Sequence, residues 1–168
     1  MRQTQWQRLL FSALAATAIS MLSACEKSTT PIPPAQNING DEIGYFCRML
    51  LVNHTGPKGQ IHLLNQKDPL WFTSVRDTLA FTQLPGESKA IAAIYVNDLT
   101  HTPLDSNEPS PYWLDAKAAW FVMGSDAVGG MGMPELVPFE SRQLAAGFVE
   151  KHGGQLVQFG DIQLQDVQ

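Results

Sequence analysis

The tetrapeptide Leu22-Ser23-Ala24-Cys25 constrains the fold more than any other feature of the chain. It closes an apolar and small-residue stretch, Leu9 to Met21, that comes after Arg2 and Arg8. A bilayer span needs about 20 apolar residues, so this stretch is too short. A basic start, a short apolar middle and small residues before a cleavage point read as a secretory signal peptide. The tetrapeptide has the form of a bacterial lipobox, in which cleavage precedes the cysteine and the thiol takes a diacylglycerol. Residues 1–24 are then the signal peptide and Cys25 the lipidation site. The alternative is ordinary cleavage near Ala24, leaving a free thiol. The chain has two cysteines. With Cys25 lipidated, Cys47 has no partner, and the remainder must fold without an intrachain disulfide or a four-cysteine zinc site.

The composition permits such a core. Of 168 residues, 44% are hydrophobic and 16% charged, which excludes a disordered or collagen-like chain. The formal charge is −5, and loss of Arg2 and Arg8 makes the remainder more acidic still. No basic block occurs, which argues against a nucleic-acid partner. The Ser, Thr, Pro and Gln residues between Lys27 and Gln36 read as a tether, placed at 25–40.

Breakers divide the chain beyond the tether. Ile43 to Val52 is rich in apolar and aromatic residues and reads as a strand. Gly56-Pro57 and Gly59 mark a turn, and Gln60 to Leu64 a second strand. Asp68-Pro69 reads as a helix N-cap and first residue, with Trp71, Phe72, Val75 and Leu79 at helical spacing behind it. Ala90 to Val96 is a continuous apolar strand. Thr100 to Pro111, with three prolines, reads as a linker over 100–111. A similar order then recurs. Ala118 to Met123 reads as a strand and Gly124 to Gly132 as a glycine-rich loop. Met133 to Phe139 is a strand that Pro134 and Pro138 confine to an edge. Glu140 to His152 reads as a helix closed by Gly153-Gly154, and Gln155 to Phe159 as a last strand. The expected class is α+β, two small ββαβ units at 41–99 and 112–162 with a tail at 163–168. Each unit is marginal in size for independent stability, so the two should pack together or share a sheet.

The chemistry centres on Phe46-Cys47-Arg48-Met49. In a strand, Cys47 and Met49 share a face with Cα atoms about 6.6 Å apart. A thiolate and a thioether so placed suit one soft ion, and sulfur donors select Cu(I). The plain alternative is two buried core residues. Met131, between Gly130 and Gly132, offers a further thioether, or is a gap-filling loop residue. His54 comes soon enough after Met49 to reach the same site, or is a solvated turn histidine. His62 and His101 are weaker candidates, and a helix C-terminus explains His152. No HExxH, GxSxG, GxxxxGK[ST] or GxGxxG motif is present, which removes zinc-protease, hydrolase and nucleotide-binding readings.

Together the lipobox, Cys47-x-Met49, Gly56-Pro57-Lys58-Gly59-Gln60, Gly130-Met131-Gly132 and His152-Gly153-Gly154 resemble the NosL family of lipoproteins accessory to nitrous oxide reductase. The resemblance runs from about Ile43 to Asp161 and implies two ββαβ units similar to the organomercurial lyase MerB. It implies a Cu(I) chaperone, not an enzyme, that helps assemble the tetranuclear copper–sulfide centre. Cys47 and Met49 match the family's metal-binding pair, and Met131 a recurrent family methionine. Many members have Cys-x-x-Cys-Gly-Met, where this chain has Gly44 and Arg48 in place of the first cysteine and the glycine. The implied partners are apo nitrous oxide reductase, other copper-trafficking proteins and, through the lipid, a membrane at the periplasmic face. A second chain completing the site, giving a copper-bridged homodimer, stays open. So do two other readings: a thiol-dependent lyase using Cys47, and a structural lipoprotein with Cys47 buried.

Overall fold

The computed structural model describes residues 31–106, 108 and 110–168. The expected signal peptide and lipidation of Cys25 lie outside the described residues. Among the described residues seven strands and two α-helices run in the order β1 (Gly59–Leu63), β2 (Leu70–Phe72), α1 (Val75–Gln83), β3 (Ile91–Asn97), β4 (Trp113–Asp115), β5 (Trp120–Met123), β6 (Val137–Phe139), α2 (Arg142–His152) and β7 (Gln155–Gln158). They form two antiparallel sheets, β2-β1-β3-β4 and β6-β5-β7. The molecule is thus a mixed helix-and-sheet protein.

Three local expectations are corrected. The strand over Ile43–Val52 does not form. Ile43 and Leu50 make an isolated antiparallel bridge, and Tyr45–Cys47 turn between them. Leu51–Asn53 is a single 3-10 turn. The helix expected from Asp68 begins one element later. Leu70–Phe72 pairs with Gly59–Ile61 as an edge strand, and Ser74 caps the helix by accepting a hydrogen bond from Asp77 N at 3.0 Å. Ser74 is the better N-cap because its hydroxyl meets a free helix N–H. Trp71 and Phe72 mimic helical spacing while belonging to the strand. Finally, Trp113–Asp115 pairs with β3, so Thr100–Pro111 lies within the connection between two neighbouring strands.

The edge position of Pro138 is observed, since β6 flanks its sheet. The main core joins residues of the first sheet and α1 (Ile61, Phe72, Leu79, Phe81, Val96) to Phe121, Leu136 and Ile162 from the second half. Val122, Val137, Phe139 and Ala145 form a second core under α2. Helix α1 lies close on β1 because Gly59 has no side chain, and Thr78 fills that space. Before the first strand, Gln36 N donates to Gln60 Oε1 at 2.8 Å, Gln60 Nε2 to Gln36 O at 2.9 Å and Tyr95 hydroxyl to Pro33 O at 2.8 Å.

Candidate metal centre

The turn carrying Cys47 is a tight backbone loop. Gly44 N donates to Met49 O at 2.8 Å and Arg48 N to Gly44 O at 2.9 Å. Arg48 takes the left-handed conformation, φ 59°, which side chains normally avoid. The loop is fastened to the edge of the first sheet, where Tyr45 N donates to Trp71 O at 2.7 Å. Tyr45 and Phe46 pack on Phe72 with ring centroids 5.8 and 5.6 Å away. These contacts are why an apolar, aromatic run forms a turn: its large side chains cover the end of an existing core.

Cys47 is a free, half-buried thiol. Its Sγ lies over Gly44, 2.6 Å from where a Cβ there would sit, and 3.6 Å from Thr73 Oγ1. Met49 is 41% exposed. The shared strand face expected for Cys47 and Met49 is therefore replaced by proximity within one turn.

Thr73 and Ser74 form the corner between β2 and α1. On the Ser74 side stands the glycine-rich loop, closed as a small hairpin. Val128 bridges Pro134, Gly129 N donates to Met133 O at 2.9 Å and Gly132 N to Gly129 O at 2.8 Å. Met131 is at the tip, 42% exposed. Met131 and Met133 line a cleft of about 220 Å³ with Ser74, Arg76, Asp77 and Glu135. The corner thus has Cys47 against one residue and the Met131 hairpin against the next.

His54 meets the same hairpin. Its Nδ1 lies 3.4 Å from Gly130 O, and a Cβ on Gly130 would come within 2.8 Å of His54 Cβ. Nε2 is buried with no hydrogen-bond partner among the described residues. With the proton on Nδ1 toward the carbonyl, Nε2 carries a free lone pair, the form in which imidazole binds metal. Lys58 holds this turn by donating from Nζ to Thr55 O at 2.9 Å and Gly56 O at 2.6 Å. Burial pushes the Lys58 pKa down to about 8. Glu135, at the foot of the hairpin, is fully buried, and burial pushes its pKa up to about 7. Its Oε1 accepts from Arg76 N at 3.0 Å and Leu136 N at 2.9 Å, tying the hairpin to the start of α1. Oε2 has no partner among the described residues.

Sequence reasoning passed over Gly44, Thr73 and Glu135 as parts of this corner. A signal existed for Glu135 alone, a single acid inside the apolar run Met133–Phe139. His62 lies apart from the corner, buried and bonded through Nε2 to Gln60 Oε1 at 2.9 Å, and burial lowers its pKa. His152 stacks on Phe148 and pairs with Asp126 at 2.9 Å.

A thiol, exposed thioethers and an imidazole, carried by neighbouring turns of a small two-sheet domain, are metal-donor chemistry. Residues 34–167 match the NosL family model, and the chain belongs to the NosL family. It is 40% identical over 156 residues to the copper-binding lipoprotein NosL of Achromobacter cycloclastes, covering 92% of this chain and 80% of that protein. It is 26% identical over 153 residues to the copper-binding lipoprotein NosL of Stutzerimonas stutzeri, covering 91% and 78%. Its fold matches the crystal structure of the copper chaperone NosL from Shewanella denitrificans with a TM-score of 0.74 at 30% identity, over 81% of this chain and 99% of that one. These relatives are copper-binding and chaperone proteins, not enzymes.

Proposed function

We propose that the protein is a lipid-anchored Cu(I) chaperone at the periplasmic face of the envelope. It hands copper to apo nitrous oxide reductase for assembly of the tetranuclear copper–sulfide centre. The observation that carries this reading is the buried Nε2 of His54, which has no hydrogen-bond partner among the described residues, on a ring whose Nδ1 meets the hairpin of Met131 at Gly130 O. A buried orphaned acceptor is costly unless a ligand satisfies it. Cys47 supplies the one anionic donor and Met49 a thioether. His54 completes the set, with Met131 as the exposed thioether that takes part during transfer. Few, accessible donors favour ligand exchange with a partner protein, which a closed four-ligand site resists. The names of the relatives support copper as cargo and a lipid anchor, for which Leu22-Ser23-Ala24-Cys25 supplies the residue.

The test is an anaerobic Cu(I) titration against a competing chelator, repeated across pH. Cys47→Ser should lose most affinity, and Met49→Ala a smaller part, because a thioether is neutral. Imidazole competes with a proton near neutrality and a thioether does not. His54→Ala should therefore weaken binding and flatten its pH dependence, whereas Met131→Ala should leave the pH profile unchanged. Full affinity in Cys47→Ser would remove the copper site. Copper-loaded wild type should restore activity to apo reductase, and failure to transfer would remove the delivery role.

A further inference from the structure

We propose that residues 33–36 form a fixed strap that holds the lipid surface on the β4 side of the first sheet and presents the copper turn on the opposite, β2 side. This rests on the lipid-anchor reading above. Four residues lie in register across that sheet: Trp71 of β2, Gln60 of β1, Tyr95 of β3 and Asp115 of β4. The chain ahead of β1 follows this row, crossing the strands. The Tyr95 hydroxyl donates to Pro33 O at 2.8 Å. Gln36 N donates to Gln60 Oε1 at 2.8 Å, and Gln60 Nε2 donates to Gln36 O at 2.9 Å. Gly44 then bridges Trp71 in parallel, at the edge where the Cys47 turn begins. Successive anchors thus step from β3 to β1 to β2.

Gln60 is the fastening point. It is fully buried, and a buried amide without partners is costly. Gln36 satisfies both ends of it, and His62 Nε2 meets the same Oε1 at 2.9 Å. The strap is therefore part of the fold, since its removal strips a buried polar group of its partners. The chain stays fixed from there to the copper turn. The Glu42 carboxylate accepts from Asn39 N and Gly40 N, both at 2.9 Å, and Leu51 N donates to Glu42 O at 3.0 Å. A pull on the lipidated end is taken up at Pro33 and Gln36 before it reaches Cys47.

Chain length limits where the lipid can be. Ile32 comes seven residues after Cys25, so even a fully extended chain keeps the lipidated cysteine within about 25 Å of it. A compact domain of this size is roughly 35 Å across, so that reach cannot carry the lipid round to the far side. Ile32 itself is 71% exposed, an apolar side chain at the mouth of the strap. From Asp115 to Trp71 the row crosses three interstrand spacings, about 14 Å, and the Cys47 turn lies beyond. The donors therefore face water, where a soluble receiving protein can reach them.

The test places the processed, lipidated chain in vesicles of phosphatidylethanolamine and phosphatidylglycerol that carry an acceptor-labelled lipid. A donor dye is attached to Lys117→Cys, whose backbone N–H bonds Asp115, or to Met49→Cys in the copper turn, each combined with Cys47→Ser. Energy transfer from residue 117 should exceed that from residue 49 by roughly twofold or more. Gln60→Ala should narrow the difference, and so should a Gly-Ser insertion before Ile32 that doubles the tether without touching the fold. Separately, amide exchange of Gln36 N–H is followed in the processed chain without vesicles. It should be slow in wild type and roughly tenfold faster or more in Gln60→Ala, with the amides of α1 still protected. A wild type that does not attach to vesicles fails the lipid-anchor reading and this proposal with it. Equal transfer from the two positions in attached wild type, or rapid exchange of Gln36 N–H in wild type, overturns the strap and leaves the anchor standing.

Discussion

Gly44 is the residue on which the position of the thiol turns. Cys47 Sγ occupies the space a side chain at Gly44 would need, 2.6 Å from the ideal Cβ, and Thr73 Cγ2 stands at 3.1 Å on the other side. Gly44→Ala therefore has no room and must push Cys47 away from Thr73. A small rearrangement of the proposed thiolate donor should lower Cu(I) affinity severalfold, with a stability loss of about 1–3 kcal/mol from overpacking. Chelator competition together with urea unfolding separates the two effects. Arg48 presents the opposite situation. It occupies a left-handed conformation at φ 59°, which costs an ordinary residue about 1–2 kcal/mol. Part of that returns as the lower chain entropy of arginine relative to glycine. Arg48→Gly should raise the Tm modestly and leave Cu(I) affinity unchanged, which thermal unfolding and the same titration check.

At the scale of elements, the Val128–Pro134 hairpin is held from both ends. Gly130 lies against the backbone of Thr55, with N and O both 2.7 Å from an ideal Cβ, so this contact admits no side chain. Gly130→Ala should lift the hairpin off the His54 turn. The expected result is weaker Cu(I) binding with loss of the imidazole pH dependence, and a fold that otherwise unfolds cooperatively. Affinity and pH profile identical to wild type would show that the hairpin contact does not serve the site. At its other end, Glu135 joins the hairpin to the start of α1 through Arg76 N. The same element therefore touches the imidazole turn and the corner beside the thiol.

At the scale of the whole molecule, stability depends on buried ionisable groups between the halves. Glu135 has its pKa raised to about 7, so its contribution is fully present below the ordinary value of 4.5 and is lost as pH rises through 7. Lys58 has its pKa lowered to about 8, so its contribution is present above the ordinary 10.5 and is lost as pH falls through 8. Between 7 and 8 both are charged and buried, and their mutual attraction offsets part of the cost. Asp77 opposes ionisation of Glu135, whereas hydrogen bonds from Arg76 N and Leu136 N favour it. Glu135→Gln keeps the carbonyl acceptor and removes the charge. The wild type should lose on the order of 3 kcal/mol relative to this variant between pH 4.5 and 7. Chemical denaturation at a series of pH values measures the difference, and a constant difference would contradict the assignment.

The sequence alone determined the parts that depend on local chemistry. Proline and glycine placed the breaks, the segments between them read as the strands β1, β3, β5 and β7, and Gly153 with φ 70° ends α2 as its position foretold. Pro138 was legible as an edge residue because proline cannot donate to a central ladder. Cysteine, methionine and histidine were legible as candidate metal donors because donor chemistry is a property of the residue. Only the tertiary structure decided what depends on long-range packing. Ile43–Val52 is apolar enough for a strand, yet Tyr45 and Phe46 gain more by covering Phe72 and Phe81, and the chain turns to let them. Trp71 and Phe72 satisfy helical spacing, yet the open edge of β1 takes them as a strand. The joining of His54 to Gly130, across 76 positions of sequence, rests on the packing of two glycine-dependent turns. The burial of Glu135 beneath that hairpin has the same origin: local patterning does not encode which surface a loop will cover.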